Sequence, residues 1–229
     1  ENMNYNSDKP IESLEQDLLG RVTFSKQLGK AIYKYDGKDG LVIGIFGKWG
    51  TGKTSILNMV VNEINYLSES NDERPIIINF SPWNYTDKDN LISIFFEDLR
   101  KKIKFNSNNE NMKQIVKAID QYSGVLNLLS FTSVVLNQNW VMMLKYPFKY
   151  FYQYIRGKIL EDTNLDKAKT NLEKALIKSN QKIIVIIDDI DRLTNTQIRD
   201  IFQLVKQVGN FPNIIYILSM DRDVVCSAL

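Results

Sequence analysis

The stretch Gly47-Lys48-Trp49-Gly50-Thr51-Gly52-Lys53-Thr54 constrains this chain more than any other, because it fits the P-loop pattern G-x-x-x-x-G-K-[ST]. The pattern has meaning only between a strand and a helix. Leu41-Val42-Ile43-Gly44-Ile45-Phe46 precedes it, short and apolar as a buried strand is, and Ser55-Ile56-Leu57-Asn58-Met59-Val60-Val61-Asn62-Glu63-Ile64 follows with apolar residues at helical spacing. Glycines let the backbone wrap a phosphate chain with its N–H groups pointing inward. The N-terminus of the following helix adds partial positive charge. In that geometry Lys53 reaches the β- and γ-phosphates and the Thr54 hydroxyl ligates Mg²⁺. Gly47 to Thr54, with Ser55 behind them, are the expected contacts of a nucleoside triphosphate.

A second anchor is Lys182-Ile183-Ile184-Val185-Ile186-Ile187-Asp188-Asp189-Ile190-Asp191-Arg192-Leu193. Its apolar run ends in two aspartates, so it reads as a buried strand delivering carboxylates to its C-terminal tip, where ligands of α/β sheets bind. Asp188 is expected to hold Mg²⁺, mostly through its water shell. Asp189 is expected to orient or deprotonate an attacking water. Asp191 and Arg192 read either as a surface ion pair or, for Arg192, as a sensor of the γ-phosphate or of a neighbouring subunit.

The rest of the chain alternates strand and helix from Leu41 onward, which argues a parallel α/β sheet. A helix carries Phe24, Leu28, Ile32 and Tyr33 on one face. A second strand spans 75–80, and helices follow at 90–105, 165–177 and 196–208. A fourth strand, 214–218, ends at Ser219-Met220-Asp221-Arg222. The polar Ser219 and Asp221 would sense the γ-phosphate if that strand lies between the two motif strands. Residues 106–160 form an insertion, with a helix at 112–122 and an interrupted apolar stretch at 125–144. The aromatic segment 146–154 is flanked by Lys145 and Arg156. It is too interrupted for a clean membrane span, which needs about 18–20 consecutive apolar residues. The insertion reads as a helical element packed on its host, as a membrane-surface or membrane-inserted hairpin over 123–157, or as a partner-binding surface.

Composition narrows the class. The 229 residues are 44% hydrophobic and 24% charged, as a globular domain is, and a net charge of +2 gives no indication of nucleic acid. The absence of histidine disfavours a His-based metal centre or triad, and a single cysteine, Cys226, excludes an intramolecular disulfide. The polar start of the chain does not read as a signal peptide, so a cytoplasmic protein, or one peripheral to the inner face of the membrane, is expected.

These residues together resemble the KAP family of P-loop NTPases, usually grouped with the STAND signal-transduction ATPases. Ser7-Asp8-Lys9-Pro10-Ile11 with Asp17-Leu18-Leu19-Gly20-Arg21 is similar to the family's N-terminal signature. The tryptophan-containing P-loop, the strand end Phe80-Ser81-Pro82-Trp83, the run Ile187-Asp188-Asp189-Ile190-Asp191-Arg192 and the tail Ile217-Leu218-Ser219-Met220-Asp221-Arg222 resemble its other motifs. The resemblance implies a three-layer α/β/α P-loop core over residues 1–105 and 161–229 with strand order 5-1-4-3-2. The helical insertion 106–160 falls between P-loop and Walker B, and the C-terminal lid is missing from these residues. It also implies Mg²⁺-dependent ATP binding and hydrolysis serving as a switch, antiviral defence against bacteriophage as the biology, and a homo-oligomer or other defence proteins as partners. The alternatives are a scaffold that binds ATP but barely hydrolyses it, since Asp189 stands where glutamate is the commoner residue, and a membrane-associated signalling ATPase. By the same resemblance Gly20 and Arg21 lie near adenine and ribose, although a helix-capping glycine beside a surface arginine fits those two residues equally.

Overall fold

The computed structural model describes residues 10–11, 17, 19–37, 39–69, 74–85, 91–106, 109–138 and 165–229. Ser7, Asp8 and Lys9 of the N-terminal motif, and the aromatic segment 146–154, lie outside them. The chain divides into two compact units, one formed by residues 1–91 and 181–229 and the other by 92–180.

The first unit is built on a four-stranded parallel sheet. Helix α1 (Val22–Lys34) leads to β1 (Leu41–Phe46), the P-loop, α2 (Lys53–Ser68) and β2 (Ile76–Phe80). After the second unit the chain returns as β3 (Ile183–Ile187), α6 (Asn195–Val208), β4 (Ile214–Met220) and α7 (Arg222–Ala228). The strand order is β1-β4-β3-β2, with every neighbouring pair parallel. That is the 1-4-3-2 part of the order implied by resemblance, and it sets β4 between the two motif strands. Pro75 cannot donate to a ladder, and β2 starts one residue after it.

Continuous Ile/Val runs belong to strands covered on both faces, and all residues of β3 and β4 are buried. One face of the sheet, through Ile45, Ile184, Ile186, Ile215 and Ile217, packs with Ile32 of α1 and Leu57, Val60 and Ile64 of α2 in a single apolar cluster. This cluster fixes α2, and with it the end of the P-loop, against the strand tips.

Helix α6 begins at a capping box. Thr194 Oγ1 accepts from the Gln197 backbone N–H at 3.4 Å, while Gln197 Oε1 accepts from the Thr194 backbone N–H at 3.0 Å. Two of the helix's orphan donors are thereby satisfied. Thr194→Ala is expected to cost about 1 kcal/mol and lower the melting temperature by roughly 2–4 °C, read by thermal unfolding.

The second unit is helical. It holds most of α3 (Leu91–Asn106), all of α4 (Glu110–Gln138) and α5 (Leu165–Ser179). Phe95, Phe96, Leu99, Ile103, Met112, Ile115, Ile119, Leu172 and Leu176 are among its buried residues. The Phe96 ring meets Phe95 at 5.3 Å and Tyr122 at 5.5 Å, both edge-on. The helix expected at 112–122 runs on to Gln138, because nothing in the following stretch removes a backbone donor as proline would. Among the described residues, no helix is long and apolar enough to cross a membrane.

Candidate functional site

The P-loop leaves β1 tied to the end of β4, since the Gly47 N–H donates to the Met220 carbonyl at 3.1 Å. It then turns through two left-handed residues, Gly50 at φ +75° and Gly52 at φ +78°, a conformation in which a side chain is strained. The Lys48 carbonyl accepts from the Thr51 N–H at 3.2 Å and from Thr51 Oγ1 at 2.7 Å, closing the turn. Gly52 is then the N-cap of α2, and no side chain caps that helix. The N–H groups of its first turn lack intrahelical acceptors; together with the helix dipole they favour an anion.

Lys53 Nζ lies across the loop. It donates to the Gly47 carbonyl at 2.9 Å and the Lys48 carbonyl at 3.4 Å, and it faces Asp191 Oδ2 at 3.6 Å. The Lys53 and Asp191 side chains are only 10% and 5% exposed, so Asp191 is no surface ion-pair partner of Arg192. The cause is local. Asp189 adopts φ +59° and starts a 3₁₀ turn, Ile190–Arg192, which folds the third aspartate back towards the P-loop lysine. Asp191 Oδ1 is buried with no hydrogen-bond partner among the described residues. Neither helical nor strand periodicity describes a single 3₁₀ turn, so nothing in the sequence signalled this contact.

The two motifs meet at Thr54 and Asp188. Thr54 Oγ1 donates to Asp188 Oδ2 at 2.9 Å, and Asp188 Oδ1 accepts from the Asp189 N–H at 2.9 Å. Asp188's own N–H donates to the Phe80 carbonyl at 3.3 Å, which anchors the carboxylate to the end of β2. Asp189 Oδ1 pairs with Arg192 Nε at 2.9 Å, and the Arg192 guanidinium lies 4.5 Å from the centre of the Trp49 ring. Burial, followed by the charge of Asp188, pushes the Asp189 carboxyl above its ordinary range, while Arg192 and Lys53 pull it back. Trp83 is exposed on the Pro82–Asn84 turn, which packs against the Ile190–Arg192 turn.

The remaining expected residues fall into two groups. Arg21 reaches the loop, its guanidinium donating to the Thr51 carbonyl. Gly20 precedes it with φ +69°. Asp17 holds that corner, accepting from the Leu19 N–H at 3.0 Å and the Val22 N–H at 2.8 Å. Desolvation works against its ionised form, but those N–H groups and the Arg21 charge outweigh it and keep the carboxyl below its ordinary value. Ser55 Oγ accepts from the Ile11 N–H at 3.2 Å, and Asn58 Nδ2 donates to the Ile11 carbonyl at 3.0 Å, so Ile11 is fastened to α2. Ser219 is buried in β4, opposite Ile45 in the register, and its Oγ has no partner among the described residues. Asp221 is the N-cap of α7, accepting from the Asp223 N–H at 2.9 Å.

Thr54 and Asp188 offer hard oxygen donors side by side. Among the described residues no group of three or more His, Cys, Asp or Glu could hold a metal ion. A divalent ion at this place would therefore take phosphate oxygens and water as its other ligands, as Mg²⁺ ordinarily does. The donor set fits that ion.

Comparison with known proteins adds four matches. The family model described as "KAP family P-loop domain" matches residues 21–229. The phage T7 exclusion protein of Escherichia coli (strain K12) is 25% identical over 248 aligned residues, covering 97% of this chain and 31% of that protein. The chain thus spans about a third of the relative's length. Among solved structures, the Aeropyrum pernix ORC2 protein in its ADPNP-ADP complexes is 11% identical with a TM-score of 0.44, covering 93% of this chain and 44% of that one. The ADP form of the same protein gives 10% identity and a TM-score of 0.41, covering 90% and 42%.

Proposed function

Since the chain belongs to the KAP family of P-loop domains, we propose that it binds ATP with Mg²⁺ at the P-loop, hydrolyses it, and uses the nucleotide state as a switch. The observation that carries this reading is the contact between Thr54 and Asp188, two residues 134 positions apart whose oxygens lie 2.9 Å from each other beside the P-loop. Gly47 to Ser55 would wrap the phosphates, with Lys53 exchanging its carbonyl acceptors and Asp191 for phosphate oxygens. Gly20 and Arg21, joined to the loop at Thr51, would border the nucleoside.

Thr54 and Asp188 would hold Mg²⁺, which supplies charge neutralisation on the phosphate oxygens. Asp189 would orient the attacking water and accept its proton. Its raised basicity suits that task better than an ordinary aspartate's. Phosphoryl transfer needs positioning and charge more than covalent help, and these residues are of the types that provide both. Arg192, Ser219 and Asp221 would report the γ-phosphate to the rest of the domain.

The biological setting we propose is bacterial defence against bacteriophage, supported by the name of the relative that aligns along 97% of the chain. Assembly with further copies or with other defence proteins would follow the nucleotide state. Phosphate release by the 229-residue chain tests the reading. We expect release from ATP with Mg²⁺, loss to background with EDTA, and return when Mg²⁺ is restored. No release, or release indifferent to EDTA, would contradict it.

A further inference from the structure

The geometry points to Trp49 as a positioning residue for Asp189, acting through Arg192. The inference rests on the reading of Asp189 as the carboxylate that orients water. Trp49 stands at the tip of the P-loop and is 68% exposed, so burial does not account for its ring. The ring lies against a cation, the Arg192 guanidinium, at 4.5 Å. The same guanidinium reaches Asp189 Oδ1 with Nε at 2.9 Å.

An ion pair at this level of exposure is ordinarily loose, because two free side chains must be held in one geometry. Stacking a planar guanidinium on an indole removes much of that freedom, and the fork then presents its N–H in a fixed direction. Asp189 gains such a tether at a turn where its own backbone is left-handed.

The three residues therefore form one line from the P-loop tip to the turn after β3. A shift of the tip when phosphate enters the loop would pass through Arg192 to the carboxylate. The Trp49 side chain would then serve hydrolysis, while nucleotide affinity would rest on the backbone N–H groups of the loop, its own included, and on Lys53.

The test is steady-state ATP hydrolysis by the full 229-residue chain, comparing wild type with Trp49→Leu, Trp49→Phe, Arg192→Ala and the Trp49→Leu/Arg192→Ala pair. Trp49→Leu is expected to lower kcat about fivefold to tenfold with KM for ATP moved less than about twofold. Trp49→Phe, which keeps a ring face, is expected to recover most of that loss. The double variant is expected to be no slower than Arg192→Ala alone, because the two residues act in series. An unchanged kcat in Trp49→Leu, a loss confined to KM, or losses that multiply in the double variant would overturn the inference while leaving the hydrolysis reading intact. A wild type that binds ATP without hydrolysing it would overturn the hydrolysis reading and this inference with it.

Discussion

Lys53→Ala is expected to weaken ATP binding by about 100-fold or more, since two charge-assisted hydrogen bonds to phosphate, each about 1.5–3 kcal/mol, are lost together. The structure makes the variant's second effect just as informative. Lys53 Nζ faces the buried Asp191 carboxylate at 3.6 Å, so its removal leaves that charge without a counter-ion. Breaking a buried pair from one side ordinarily costs about 3–5 kcal/mol of stability. The two losses can be separated. Adding Asp191→Asn to Lys53→Ala removes the stranded charge and is expected to recover most of the melting temperature, yet to leave ATP binding as weak as in Lys53→Ala. Calorimetric titration beside thermal unfolding reads both. Equal ATP affinity in wild type and Lys53→Ala would contradict the assignment of the loop.

Asp189→Asn should behave in the opposite way. The amide has nearly the shape of the carboxylate and keeps an acceptor for Arg192, whose Nε lies 2.9 Å from Oδ1, but it cannot take a proton from water. Affinity for ATP is expected to stay within about threefold of wild type, while hydrolysis falls by roughly 100-fold or more, the usual contribution of a positioned general base. Asp188, tied to Thr54 at 2.9 Å, would have a different task as a ligand of Mg²⁺. The expected contrast, binding weakened in Lys53→Ala and only turnover lost in Asp189→Asn, would separate nucleotide capture from chemistry within one loop-and-strand site.

Much of the fold was legible because its signals are local. The isoleucine-rich runs at β2, β3 and β4 are strands buried in a parallel sheet, and glycines at 50 and 52 mark the turn that only left-handed residues can make. The order β1-β4-β3-β2 followed from the motifs through their resemblance to a family, since periodicity says nothing of which strands become neighbours. What stayed hidden depends on single turns and on contacts between distant residues. Asp191 looked like part of a solvated ion pair until the left-handed Asp189 and the 3₁₀ turn brought it to Lys53. Trp49 is flanked by residues that do not report its neighbour, and only the folded chain sets Arg192 over its ring. The hold of Ser55 and Asn58 on the Ile11 backbone is likewise made between segments whose sequences carry no mutual signal. In the second unit, helix α4 extends past 122 because scattered polar residues do not stop a helix, whereas a lost donor or a left-handed cap does.

The central claim is that Lys53, Thr54, Asp188 and Asp189 form one site that captures ATP and then cleaves it. It is tested most directly by a single-turnover assay with γ-labelled ATP and Mg²⁺, using protein in excess of its affinity so that all nucleotide is bound. Wild type is predicted to release labelled phosphate in a single exponential, while Asp189→Asn retains intact ATP in the bound fraction. Equal release by the two proteins, or bound ATP that wild type never cleaves, would contradict the account.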